Sequence, residues 1–130
     1  MLTDDELIGG FEAGSLQDFP HASHVRLTLI YLSRHGRDGA LERLMAGLLR
    51  FATAKGQPEK FHVTMTRAWV DLIDAARRSR PELSAAALVD ARPELLDRGA
   101  LLRFYSTERL NSPEARTHWV PPDLQEIDRI

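Results

Sequence analysis

Asp38-Gly39-Ala40-Leu41-Glu42-Arg43-Leu44-Met45-Ala46-Gly47-Leu48-Leu49-Arg50-Phe51 is the stretch on which the fold class turns. Its Leu41, Leu44, Met45, Leu48, Leu49 and Phe51 follow the i, i+3, i+4, i+7 spacing of one helix face. Asp38 stands where an N-cap belongs, and Gly56 stands where such a helix stops. The same signals recur on both sides. Upstream, a helix is expected from Pro20, with Asp18 as a nearby cap, to a stop at Gly36. Before it, Thr3-Asp4-Asp5-Glu6 forms a capping box that leads into Leu7, Ile8 and Phe11. Gly9-Gly10 weakens that first helix and Gly14 ends it.

Downstream, Gly56-Gln57-Pro58-Glu59 is a connection of the length that joins antiparallel helices. The next helix faces inward with Phe61, Met65, Ala68, Trp69, Leu72, Ile73 and Ala76, and outward with Arg67, Asp71, Asp74 and Arg78. Beyond Pro81 the pattern shortens: Ser84 to Ala91, a turn through Pro93 to Gly99, then Ala100 to Tyr105. A last turn or two is capped by Ser112-Pro113. Val120-Pro121-Pro122-Asp123 cannot be helical and is expected to lie extended across the surface. No alternating apolar run asks for a sheet. The expected fold is all-α: a compact irregular helical bundle, with four main helices and shorter C-terminal helices, forming one domain over residues 1–130.

Composition narrows the function. Apolar residues at 43% and charged residues at 28% suit a packed globular core and argue against a disordered chain. A formal charge of −2, with basic residues scattered among acids, offers nucleic acid no favourable field. The chain has no cysteine, which excludes disulfides, thiol catalysis and Cys-ligated metals. Any metal must be held by His and carboxylate. Acids follow Met1 where a signal peptide needs basic residues, and no apolar run approaches a membrane span, so the cytoplasm is the expected location.

Histidines carry the chemistry. On a wheel of about 100° per residue, the helix from Pro20 turns His21, Val25, Thr28, Leu29 and Leu32 inward, with His24, Tyr31 and His35 at one edge. His62 falls on the inward face of the later helix, with Thr66 one turn on. His-x-x-His places His21 and His24 on neighbouring turns, near enough to share one metal, and His62 could supply a third ligand while leaving a position open for water. That set makes His21, His24 and His62 candidate catalytic residues and candidate ligands of zinc, iron or manganese. Tyr31, Thr66 and Thr28 are candidates to orient the imidazoles, and Asp18 and Glu59 are carboxylates close enough in sequence to join the set. Without a metal, a helix N-terminus keeps His neutral and able to exchange protons. The competing explanation is structural, since a neutral buried His bonded to a backbone carbonyl is common. His35 before Gly36 suits a helix C-terminus, and His118 stands near the Pro-Pro tail.

In Arg103-Phe104-Tyr105-Ser106-Thr107-Glu108-Arg109, Arg103 and Tyr105 could hold a carboxylate or phosphate, although an ion-paired surface loop explains them as well. Phe19-Pro20-His21-Ala22-Ser23-His24-Val25, Lys60-Phe61-His62-Val63-Thr64 and Leu101-Leu102-Arg103-Phe104-Tyr105-Ser106 together resemble a group of short bacterial all-helical proteins. In that group helices start Phe-x-His-x-x-His and Tyr-His-x-Thr, and Phe61 replaces the Tyr here. The resemblance spans most of the chain and implies no activity, ligand or partner. The expected function is a small enzyme or ligand-binding protein whose His-lined pocket acts on a small organic molecule by metal-activated water or proton transfer. The alternative is a non-catalytic interaction module or homodimer with structural histidines.

Overall fold

The computed structural model describes residues 2–127, which hold six α-helices, three short 3-10 turns and no strand. The protein is all-α. None of the described helices is long and apolar enough to cross a membrane. The chain sorts into two units, residues 1–61 and 62–130, each taken in turn.

In the first unit, α1 (Asp4–Ala13) starts from the expected capping box: Glu6 N donates to Thr3 Oγ1 at 3.1 Å, and Thr3 N to Glu6 Oε1 at 2.8 Å. It ends at Gly14, whose φ of 69° is the left-handed cap that glycine adopts freely. Helix α2 (His21–Ala54) is interrupted at Gly36, where φ 76° and ψ −179° are closed to L-residues with a side chain. A straight helix would separate residues 21 and 51 by about 45 Å. Instead Phe19, just before α2, and Phe51, near its end, stand with ring centroids 6.0 Å apart. The two arms of α2 therefore fold back on each other as a helical hairpin.

Helix α1 lies against both arms. Arg26 on the first arm pairs with Asp4 at 2.7 Å, and Phe11 sits over Gly47 on the second, where a Cβ would collide with its ring. Several expectations are corrected here. Asp38 is not a cap, because the second arm resumes directly after Gly36; it pairs with Arg37 at 3.0 Å inside the helix. Pro20, not Asp18, holds the N-cap position of α2, with no side-chain cap bond. Of the second arm's apolar stripe only Leu44 is buried, alongside Ala40 and Gly47; Leu41, Met45, Leu48 and Phe51 are half-buried, and Leu49 is 44% exposed. The small residues Ala40 and Gly47 mark the close-packed line, which turns part of the stripe away. On the first arm, every residue from Leu27 to Leu32 is buried.

The second unit is built on α3 (Val63–Ser79), followed by α4 (Ala85–Ala91), α5 (Thr107–Leu110) and α6 (Pro113–Thr117), with 3-10 turns at Pro93–Leu96 and Ala100–Arg103. Helix α3 starts at Val63 because His62 is its cap, leaving Phe61 and Met65 only half-buried. Asp74, expected on the solvent side, is buried; Arg77 at 3.2 Å and Arg78 at 3.0 Å fold over its carboxylate. Ser84 and Ser112 cap α4 and α6 as their positions indicate.

The expected surface loop at 103–109 contains α5, capped by Ser106, and it anchors the tail. Arg109 Nε donates to the Pro121 carbonyl at 2.6 Å, and Ser106 gives its amide (2.8 Å) and hydroxyl (2.6 Å) to the two oxygens of Asp123. Thr64 Oγ1 donates to the His118 carbonyl and accepts from Val120 N. Two consecutive prolines offer no amide to any ladder. This strap therefore holds the tail chiefly through its carbonyls and the Asp123 carboxylate.

Candidate functional site

His21 and His24 occupy the first turn of α2, with ring centroids 6.0 Å apart in an edge-on arrangement, and the Phe19 ring lies 5.8 Å from His24. Phe19 in turn stacks on Phe11 at 5.2 Å, which fixes the apolar side of the pair. His24 Nε2 is shut off from solvent and has no hydrogen-bond partner. Burial first, then the neighbouring His21, push its pKa down to about 4. The positive end of the α2 dipole acts in the same direction. His24 is thus a neutral imidazole near pH 7 with one ring nitrogen unused.

The expected orienting residues do other work. Thr28 Oγ1 donates to the backbone carbonyl of His24 at 2.8 Å, a bond along its own helix. The Tyr31 hydroxyl donates to Glu12 Oε2 at 2.7 Å, and its ring lies 5.8 Å from His35. Burial and this carboxylate raise the phenol far above its ordinary pKa. Tyr31 therefore joins α1 to α2.

His62 follows the structural explanation. Its Nδ1 accepts from Met65 N at 3.0 Å, which makes the ring the N-cap of α3, and its Nε2 lies 2.7 Å from the Leu110 carbonyl. A carbonyl can only accept, so Nε2 carries the proton and both ring nitrogens are engaged. Desolvation lowers its pKa despite the Leu110 bond, which favours the charged form. Thr66 Oγ1 donates to the His62 backbone carbonyl at 2.8 Å. Among the described residues, no three His, Asp or Glu side chains stand together as a set that could hold a metal ion.

Arg103 is exposed, with its guanidinium 5.4 Å from the Phe104 ring centre. Tyr105 is fully buried and its hydroxyl donates to the Val120 carbonyl at 2.7 Å. The pair the sequence offered as an anion clasp is divided between solvent and core. Sequence reasoning missed Glu12 as the partner of Tyr31, and it missed Arg67 beside Trp119. The i, i+4 spacing of Arg67 and Asp71 was a visible signal, but nothing local brings Trp119 near them. No protein-family model, curated protein or solved structure matches the chain.

Proposed function

We propose that the protein binds a small organic molecule through the His21–His24 pair, with His24 Nε2 as the recognising atom. The supporting observation is the unpartnered state of that nitrogen. A buried polar atom without a partner costs about 1–3 kcal/mol, and such atoms in native proteins call for a specific explanation. Because Nε2 is shut off from solvent, a ligand carrying one N–H or O–H donor, or one acceptor, completes the imidazole when the ring is uncovered, with Phe19 as an apolar wall. With a pKa near 4 the ring is a weak base at neutral pH, so recognition suits it better than proton abstraction. A bound zinc, iron or manganese ion would need ligands beyond these two imidazoles.

The test is histidine-detected NMR against a library of small neutral and acidic molecules. A binder should move the His24 ring nitrogens and lose its effect in His24→Phe, a variant expected to be at least as stable at pH 7. The reading fails if His24→Phe loses several kcal/mol of stability and no compound moves the ring. Stoichiometric metal in untagged protein that disappears from His21→Ala/His24→Ala would replace it with a metal site.

A second reading rests on the second arm of α2, where Leu49 and its half-buried neighbours leave apolar surface toward solvent. In that reading the protein pairs with a copy of itself along this arm. Sedimentation of the wild type and Leu49→Lys separates the two readings.

A further inference from the structure

The Arg67 guanidinium on α3 lies over the Trp119 indole, its central carbon 4.0 Å from the ring centre. Trp119 is itself held firmly. The carbonyl before it and the amide after it both bond to Thr64 Oγ1, and Tyr105 meets its ring edge-on at 6.4 Å and 86°. Arg67 Nε is buried without a hydrogen bond; it is ion-paired with Asp71, one turn on, at 3.7 Å, too far for a hydrogen bond. The side chain is 32% exposed, and its two Nη groups make no hydrogen bond to the protein among the described residues. A guanidinium held over an aromatic ring, with no hydrogen bond from its terminal donors among the described residues, is a fork available for two parallel N–H···O bonds. The stack has already removed the rotamer freedom that binding would otherwise cost.

We propose that Arg67 and Trp119 form a binding site for an organic monocarboxylate. A single charge is the right match. One fork is open, Asp71 beside it repels a second negative charge, and Arg109, the other arginine acting on Tyr105, has its Nε committed to the Pro121 carbonyl. The half-buried indole favours a carboxylate attached to an apolar group over acetate or phosphate.

Titration with phenylacetate, followed at the Trp119 indole N–H and assigned with Trp119→Phe, tests the site. A saturable shift is expected. Arg67→Lys, which keeps the charge but loses the planar fork, should weaken it about tenfold or more. Asp71→Asn should tighten it by removing the repelling charge. Inorganic phosphate should bind more weakly than phenylacetate. The proposal is overturned by the absence of a saturable shift up to about 10 mM, which is weaker than any useful affinity. Unchanged affinity in folded Arg67→Lys, or phosphate binding as tight as phenylacetate, also overturns it. Should Arg67→Lys fail to fold, Asp71→Asn decides: no tightening counts against the site.

Discussion

The hydroxyl of Tyr105 donates to the carbonyl of Val120 across a fully buried 2.7 Å bond, which ties the core of the second unit to its extended tail alongside the Thr64 bonds to His118 and Val120. Tyr105→Phe removes the donor and leaves the carbonyl buried. We expect a loss of about 1–2 kcal/mol in chemical denaturation, with earlier proteolytic cleavage near residues 120–125. Unchanged cleavage would mean that the Thr64, Ser106–Asp123 and Arg109–Pro121 bonds suffice to hold the tail.

Stability should fall in mild acid. His24 has a pKa of about 4 in the folded protein, against about 6.5 in an unfolded chain, so the unfolded state takes up a proton first as pH drops. The contribution is complete above about pH 6.5 and is lost progressively toward pH 4, a change of roughly 3 kcal/mol for this group. His62 is shifted in the same direction. Urea unfolding from pH 7.5 to 4 should show the decline, and His24→Phe should flatten part of it. An identical slope in the variant would show that His24 is not the group responsible.

Gly47 should not tolerate a methyl group. A Cβ there runs into the ring of Phe11, which is itself buried beneath Phe19 and Tyr31. Gly47→Ala is expected to cost about 1–3 kcal/mol through overpacking, outweighing the gain in helix propensity of about 1 kcal/mol. Thermal melts of the variant give the sign directly.

Asp74 compensates two arginines from a buried position. Asp74→Ala should destabilise by about 1.5–3 kcal/mol, the range for lost hydrogen bonds to charged groups. The further change Arg77→Ala should then add less than it costs in the wild type, because its partner is already gone. Additive costs in the double variant would argue against the pairing.

Local signals were legible where one residue or one turn decides the outcome. Thr3 with Glu6, Gly14, Gly36, Ser84 and Ser112 each mark an element end in the sequence and in the structure. Helix spacing alone could not show which face of the second arm packs, because Phe11 selects it by demanding a glycine. The wheel turned Asp74 outward since it could not see arginines closing over it. The candidate site was legible in part for the same reason. The His21–His24 spacing follows from helix geometry, whereas the roles of His62 and Tyr105 depend on carbonyls 48 and 15 residues away.

Gly36 is surrounded by open space: a methyl group added there would meet no atom within 4 Å. Its restriction is therefore one of handedness and not of size. Backbone angles of 76° and −179° are the mirror image of an extended conformation that ordinary residues adopt freely. D-alanine introduced by chemical ligation should fit the bend that L-alanine resists, and should stiffen the hairpin by limiting the unfolded chain.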